Sequence, residues 1–138
     1  EYLFSCSRIK PINLIETKEY PGFPTDLQAQ LISIFLKNGK KSKIKENIFE
    51  NRFIHIPELR RFGADIVLKN NIVTIDKVSE LNGAEVMATD LRGSFSLIIA
   101  ALLSKGETII SRIYHLDRGY EDFDLKLKQC GVNIKRKK

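Results

Sequence analysis

Residues 88–106 read A-T-D-L-R-G-S-F-S-L-I-I-A-A-L-L-S-K-G, and this stretch decides the fold. Thr89-Asp90-Leu91 is typical of the start of a helix, and Gly106 of its end, so the spacing predicts a helix over 91–105. Apolar side chains cover most of its circumference: Phe95, Leu97, Ile98, Ile99, Leu102 and Leu103. A helix that is apolar nearly all round is buried. We therefore expect an α/β fold in which helices lie between sheets, in the form of a prism.

The same opening occurs 64 residues earlier, where Thr25-Asp26-Leu27 follows a turn rich in proline. A second pair of matching stretches, 63–66 and 131–134, both begin with glycine and lie 68 residues apart. Self-similarity at a fixed period indicates a repeated supersecondary unit. We predict two copies, at about 8–78 and 79–138, each with the order strand, helix, strand, helix, strands.

Hydrophobic periodicity places the individual elements. The predicted strands lie at 2–4, 12–15, 44–49, 64–68, 72–75, 84–88, 108–113 and 132–135. Lys69-Asn70-Asn71 joins two of them as a hairpin turn. Besides 91–105, we expect helices from an N-cap at Thr25 to Gly39, from 50–52 to Gly63, and over 119–129.

Composition excludes several classes of protein. The chain has 138 residues, of which 43% are hydrophobic and 29% charged, so it is not a disordered sequence. Its longest apolar run, 97–103, is shorter than the ~18 residues that a membrane helix needs. The first residues do not show the basic-then-apolar pattern of a signal peptide and Met is not the first residue, so we expect a piece of a longer protein. Two cysteines, Cys6 and Cys130, are too few for a disulfide scaffold, which favours the cytoplasm.

The net charge of +6 leaves the partner open. Part of the excess lies in the last four residues, 135–138, which are typical of a solvated terminus. The rest suits an anionic small substrate as well as a nucleic acid. His55 and His115 have no partners at metal-ligand spacing, so a metal site is not expected.

Two aspartates, Asp26 and Asp90, occupy equivalent places at predicted helix starts. Each could simply stabilise its helix, by ~0.3–1 kcal/mol, through the helix dipole. Alternatively, each could face a cleft and take a proton from a substrate hydroxyl. A helix N-terminus lowers the pKa of an acid, so such a base would be weak unless a buried site raised the pKa again.

Three arginines, Arg52, Arg92 and Arg118, lie on or beside loops that lead from strands into helices. Each could form a surface ion pair, for example Asp90 with Arg92 or Asp117 with Arg118. Guanidinium groups beside helix N-termini also bind anions well. Three of them on comparable loops favour a shared anionic ligand.

Three stretches of sequence carry a resemblance to a known family. They are Y-P-G-F-P-T-D-L-Q-A-Q (20–30), E-N-R-F-I-H-I-P-E-L (50–59), and the pair A-T-D-L-R (88–92) with R-I-Y-H-L-D-R-G-Y-E (112–121). In this order they resemble the C-terminal part of the UDP-N-acetylglucosamine 1-carboxyvinyltransferase family of enolpyruvyl transferases. The resemblance runs from about Arg8 to Lys135.

The resemblance implies an inside-out α/β barrel domain made of three βαβαββ units, of which this chain would supply two. It implies transfer of the enolpyruvyl group of phosphoenolpyruvate to the 3-hydroxyl of UDP-N-acetylglucosamine, with release of phosphate and with no metal or organic cofactor. That reaction is the first committed step of peptidoglycan synthesis in the cytoplasm. A partial domain at 1–138 would lack the N-terminal portion of the protein, be inactive alone, and expose a face that favours self-association. Neither nucleic acid nor membrane is an expected partner.

Matched motif by motif, the resemblance implies roles for six residues. Asp26 would hold the sugar hydroxyl as its base, Ile48 would contact the UDP-sugar, and Arg118 would bind phosphoenolpyruvate. The remaining three would be further cleft residues: Arg52, Asp90 and Arg92. Phe95 departs from the family, which has a small residue there. Cys6 and Cys130 do not match the family's catalytic cysteine.

Two alternatives stay open. The related shikimate-pathway enolpyruvyl transferases share the fold, but P-G-F-P-T-D and I-Y-H-L-D-R-G-Y are not their motifs. A basic nucleic-acid-binding module would fit the charge of +6, although no strand here is both basic and rich in aromatic residues.

Overall fold

The structure is a computed structural model that describes residues 12–37, 41–76 and 78–137. It is a mixed α/β fold. The strands are β1 (Ile15–Glu16), β2 (Ser42–Lys45), β3 (Ile66–Lys69), β4 (Ile72–Ile75), β5 (Glu85–Met87) and β6 (Ile109–Ser111). The helices are α1 (Gln28–Phe35), α2 (Ile56–Arg61), α3 (Leu91–Leu103), α4 (Tyr114–Asp117) and α5 (Phe123–Gln129), with a 3-10 turn at Thr25–Leu27 before α1.

The first half of the chain builds a four-stranded sheet in the order β1-β2-β4-β3. β1 runs parallel to β2, and the other neighbours are antiparallel. The predicted hairpin is confirmed: Lys69 pairs with Ile72, and Asn70 turns the chain with a φ of 52°. Asparagine tolerates this left-handed conformation better than most residues, which suits it to the turn.

The second half contributes a two-stranded parallel sheet of β5 and β6, in which Val86 pairs with Ile110. Both strands lie within their predicted ranges. β6 ends at Ser111, because Arg112 takes a φ of 57° and leaves the extended conformation.

The core lies between the larger sheet and the helices, with α1 packed along α3. Its fully buried members include Ile32, Ile44, Leu59, Phe62, Val73 and Leu97. Six of the 13 residues of α3 are buried and six are partly buried, while Leu102 near its end is half-exposed, so the helix is less completely buried than its sequence predicts. Ser94 and Ser96 are buried polar residues of α3, and their hydroxyls donate to the carbonyls of Asp90 and Gly93.

Two predicted elements in the first half are shorter than expected. The strand predicted over 44–49 is wrong beyond Lys45, because the chain turns at Glu46 to bring the amides of 48 and 49 onto its carboxylate. The helix predicted from 50–52 begins only at Ile56, after a series of turns. Pro57 explains this, since proline suits the first turn of a helix and breaks its interior.

Further corrections concern the two ends. The strand predicted at 12–15 is observed at Ile15–Glu16, and the strand at 2–4 lies outside the described residues. The helix predicted to run to Gly39 ends at Phe35, with Leu36 as its C-cap. The helix predicted over 119–129 begins only at Phe123, after turns that include Asp122 with a φ of 49°, and the short helix α4 that precedes those turns was not predicted.

The strand predicted over 132–135 is wrong: residues 132–137 form no strand. They bond instead to the preceding helices, with the Val132 amide donating to the Leu127 carbonyl. In the described residues the second half therefore follows the order β5, α3, β6, α4, α5, with no strand pair at its end.

Within the described residues, the helices are all too short or too polar to cross a bilayer.

Candidate active site

Asp90 is the N-cap of α3. Its backbone is extended, and its Oδ1 accepts hydrogen bonds from the amides of Arg92 at 2.9 Å and Gly93 at 3.0 Å. Such a cap satisfies amides that have no partner within the helix and is worth ~1 kcal/mol. The interpretation of Asp90 as a residue that stabilises its helix is therefore correct. The cap also holds the first turn of α3, from which the Arg92 side chain projects.

Asp26 has a different environment, although its local sequence is the same. It lies in the 3-10 turn before α1, and its Oδ1 is 2.8 Å from Arg52 Nη2 and 2.7 Å from Arg92 Nε. The Asp26 side chain is 58% exposed, so this cluster opens to solvent. Asp26, Arg52 and Arg92, which sequence reasoning selected separately, thus lie together as one carboxylate between two guanidinium groups.

The two arginines lower the pKa of Asp26, the Arg92 side chain contributing most through its hydrogen bond. The predicted lowering of the Asp26 pKa is confirmed, but the two guanidinium groups cause it and not the helix N-terminus on which the prediction relied. A carboxylate held in this way is ionised at neutral pH and available to accept a proton. It is a weak base for as long as both arginines remain on it.

Thr25 is not the helix cap that its sequence predicts. Its hydroxyl donates instead to Glu46 Oε2 at 2.9 Å, and the turn has no side-chain cap. Glu46 is 2% exposed and lies at the end of β2. Sequence reasoning missed Glu46, but a signal was available: alternation along the strand puts Ser42, Ile44 and Glu46 on one buried face.

Ile48 lies on the loop that follows Glu46, and its side chain is partly exposed. It lines a pocket of about 540 Å³ together with Phe49, Ile54, Leu68 and Asn70. The Asp26 cluster is not part of this pocket, so Ile48 and the cluster occupy different parts of the surface. Phe49 connects the two, because the Arg52 guanidinium lies 4.7 Å from the centre of its ring.

Arg118 is exposed just after α4, and within the described residues no hydrogen bond or ion pair joins its side chain to Asp26. Its position nevertheless lies close to the start of α3, because a Cβ on the next residue, Gly119, would meet Leu91 at 2.5 Å. The structure thus brings the Arg118 loop to the end of α3 that carries Asp90 and Arg92.

The predicted ion pair of Asp117 with Arg118 is wrong. Asp117 is held by Arg136, whose Nη1 and Nη2 lie 2.9 and 2.7 Å from its two oxygens, and this guanidinium lowers the pKa of the Asp117 carboxyl. Arg136 also reaches Asp124 at 3.3 Å. The basic tail is therefore tied to α4 and α5, and Arg118 is left without its sequence neighbour as a partner.

Phe95 lies in an aromatic group at the surface of α3. Its ring stacks on Tyr120 with centroids 4.8 Å apart, and Phe123 meets it edge-on at 5.7 Å. The large side chain at this position thus packs against the segment that follows Arg118.

Among residues 12–37, 41–76 and 78–137, no group of three or more His, Cys, Asp or Glu side chains is placed to hold a metal. Cys130 is a free, exposed thiol, so it is not a buried apolar residue, and Cys6 lies outside the described residues.

The two guanidinium groups beside Asp26 are groups that could bind an anionic ligand. Comparison with known proteins gives the family. Residues 5–127 match the family model described as EPSP synthase (3-phosphoshikimate 1-carboxyvinyltransferase), and the chain belongs to this family.

Curated relatives refine this assignment. The chain is 57% identical over 129 residues to the UDP-N-acetylglucosamine 1-carboxyvinyltransferase of Pelagibacter ubique, and this alignment covers 94% of the chain and 31% of that protein. It is 56% identical over 137 residues to the enzyme of the same name from Aliarcobacter butzleri, covering 99% of the chain and 32% of that protein. The chain therefore spans about a third of the length of the curated relatives it matches.

Solved structures agree on the fold. The enolpyruvyl transferase NikO from Streptomyces tendae matches with a TM-score of 0.80 at 29% identity, over 91% of this chain and 30% of that one. The EPSP synthase from Acinetobacter baumannii matches with a TM-score of 0.63 at 16% identity, over 92% of this chain and 29% of that one, which concerns the fold alone.

Proposed function

We propose that this chain is part of an enzyme that transfers the enolpyruvyl group of phosphoenolpyruvate to the 3-hydroxyl of UDP-N-acetylglucosamine, releasing phosphate, as the first committed step of peptidoglycan synthesis. The observation that carries the proposal is the cluster of Asp26, Arg52 and Arg92 in a chain that is 57% identical to a protein of that name. The proposed site is cytoplasmic and needs no metal or organic cofactor.

In the proposed reaction, the sugar 3-hydroxyl gives its proton to Asp26 while its oxygen bonds to C2 of phosphoenolpyruvate. C3 gains a proton from an acid outside this chain. The tetrahedral product then loses phosphate as C3 gives back a proton, which restores the double bond in the new enol ether. Positioned acid–base groups of this kind contribute about 10²- to 10⁴-fold to a rate.

Charge compensation is the proposed task of the arginines. Both substrates carry phosphate groups, and guanidinium groups bind phosphate oxygens in a planar, two-pronged geometry. Arg118, which is not paired with Asp117, is proposed to bind phosphoenolpyruvate. Arg52 and Arg92 are proposed to turn partly away from Asp26 and toward the bound anions. As they do so the Asp26 pKa rises toward its ordinary value, which makes Asp26 a better base.

Two further residues are proposed to support the site. Asp90 fixes the first turn of α3 and so the position of Arg92. Ile48 is proposed to contact the UDP-sugar from the loop that also carries Arg52.

We further propose that the two halves of the chain, 8–78 and 79–138, are copies of a βαβαββ unit, within one partial domain of an inside-out α/β barrel whose helices lie between sheets. The order β1-α1-β2-α2-β3-β4 of the first half supports this. The second half has no strand pair at its end in the described residues, so its last two strands are proposed to form only with the rest of the protein. Alone, the chain is proposed to be inactive and to self-associate through the face left uncovered.

A chimera tests this function. The chain replaces the matching third of the Aliarcobacter butzleri relative, with which it aligns over 99% of its length. We expect phosphate release that requires both phosphoenolpyruvate and UDP-N-acetylglucosamine, and a loss of about 10²-fold or more in Asp26→Asn. A folded chimera without turnover contradicts the proposal, as does phosphate release by the chain alone.

The shikimate-pathway reaction is the second candidate, because the matching family model carries that description. The same chimera distinguishes the two when shikimate 3-phosphate replaces the UDP-sugar. Turnover of phosphoenolpyruvate with shikimate 3-phosphate, but not with UDP-N-acetylglucosamine, would assign the chain to the second reaction.

A further inference from the structure

Glu46 is a buried carboxylate that no step of the proposed reaction uses. Its Oε1 accepts hydrogen bonds from the Thr17 hydroxyl at 2.8 Å and from the amides of Ile48 and Phe49 at 2.9 and 3.1 Å, and its Oε2 accepts from the Thr25 hydroxyl at 2.9 Å. Both oxygens thus have hydrogen-bond donors, as a buried polar group requires. These donors come from three separate segments of the chain, so the Glu46 side chain joins the three segments.

The backbone of Glu46 is fixed as well. Its amide donates to the Asn71 carbonyl at 2.9 Å, and its carbonyl accepts from Asn71 Nδ2 at 2.9 Å. The carboxylate is thus anchored to the tip of the β3–β4 hairpin and does not move independently of the sheet.

The contacts of Glu46 form a closed ring through the proposed site. Thr25 on Oε2 directly precedes Asp26, and Asp26 lies 2.8 Å from Arg52. The Arg52 guanidinium lies over the ring of Phe49, and the Phe49 amide donates a hydrogen bond to Glu46 Oε1, which closes the ring of contacts. The base and one of its arginines are therefore both attached, through one neighbour each, to the same buried carboxylate.

We propose that Glu46 is a positioning residue that sets the separation of Asp26 and Arg52 by holding Thr25 with one oxygen and the 48–49 loop with the other. This inference rests on the proposed function of the Asp26 cluster. Thr25 is the critical link, because its hydroxyl is the side-chain connection between Glu46 and the turn that carries Asp26.

The test uses the chimera described above, with Thr25→Val to break the link at nearly constant volume and Thr25→Ser to restore the hydroxyl. Ser104→Ala is the matched control, because it also removes one part-buried hydroxyl bond, to the Ala100 carbonyl at 2.7 Å, but at the far end of α3. Glu46→Gln tests the carboxylate itself, since an amide replaces one acceptor by a donor.

We expect Thr25→Val to lower kcat by ~10- to 100-fold, because small misplacements of a catalytic group have effects of this size. Thr25→Ser should restore kcat to within a few-fold, and Ser104→Ala should leave it unchanged although it loses a comparable bond. Thr25→Val and Glu46→Gln should also separate Arg52 from Asp26 and so shift the acid limb of the pH–rate profile to higher pH. Loss of stability alone does not produce this shift.

Backbone NMR on the 138-residue chain checks the ring without any activity. The amide protons of Ile48 and Phe49 should shift upfield in Glu46→Gln, because they lose a charged acceptor. The outcomes separate the two proposals. An unmutated chimera without turnover overturns the function, whereas an active chimera in which Thr25→Val behaves like Ser104→Ala, with no change in its pH profile, overturns the role of Glu46.

Discussion

His55 should make the stability of this chain depend strongly on pH between about 4 and 6.5. The side chain is 1% exposed, and its Nε2 has no hydrogen-bond partner among the described residues. It packs against the first turn of α3, where a Cβ on Gly93 would lie 3.0 Å from the Cβ of His55. Burial lowers its pKa from 6.5 to about 4, and the nearby Asp90 carboxylate opposes this only in part.

The sign and size follow from proton linkage. The unfolded chain takes up the proton near pH 6.5 and the folded chain only near pH 4, so the contribution of His55 to stability is complete above 6.5 and is lost as the pH falls toward 4. Each tenfold difference in proton affinity corresponds to about 1.4 kcal/mol. The loss is therefore about 2 kcal/mol at pH 5, and roughly 3 kcal/mol below both pKa values.

Urea denaturation at pH 8 and pH 5 measures this loss, because neither value reaches the range in which Asp26 and Asp117 titrate. His55→Leu, which cannot take up a proton, should lose about 2 kcal/mol less than the unmodified chain between the two pH values. His115→Gln is the matched control and should keep the full loss, since it leaves His55 in place. Equal losses in the unmodified chain and in His55→Leu would refute the reasoning.

Three further predictions concern single positions. Arg136→Gln, which frees Asp117, should lower the free energy of unfolding by less than about 1 kcal/mol, and by still less in 1 M NaCl, as urea denaturation can measure; a larger, salt-independent loss would contradict this. Gly119→Ala should cost at most ~1–3 kcal/mol, because its Cβ would lie 2.5 Å from the end of the Leu91 side chain, which can turn aside, and Leu91→Ala in the same chain should recover part of any loss in a thermal melt. Asn70→Val should cost ~1–2 kcal/mol at a φ of 52°, whereas Asn70→Gly should cost less, and equal melting temperatures would argue against strain at the turn.

Local sequence signals predicted what depends on neighbouring residues. The Lys69-Asn70-Asn71 turn and the helix that starts at Asp90 agree with the structure because a turn and a cap are both satisfied within a few residues. The same reasoning failed for Thr25, because the cap at the equivalent start of α3 is Asp90 and not the threonine before it. The Thr25 hydroxyl donates instead to Glu46, a residue 21 positions away.

The candidate site shows the same division. Sequence reasoning selected Asp26, Arg52 and Arg92 from residue type and loop position, but it could not show that all three meet, because their separations depend on how α1 packs along α3. It also offered Asp117 as a possible ion-pair partner of its neighbour Arg118. The actual partner, Arg136, is brought there by a tail whose path no local pattern specifies.

The ion pair of Arg92 with Asp26 joins the two halves of the chain, yet it cannot be what holds them together. Both side chains are more than a third exposed, and such pairs are worth at most about 1 kcal/mol. Burial of α1 against α3 is worth far more, since each fully buried side chain such as Ile32 or Leu97 contributes about 1.5–3 kcal/mol. The fold therefore places the arginine and the carboxylate in contact, and the contact itself is inexpensive to break. An anionic ligand could therefore take the arginine from Asp26 at little cost, as the proposed role of Asp26 as a base requires.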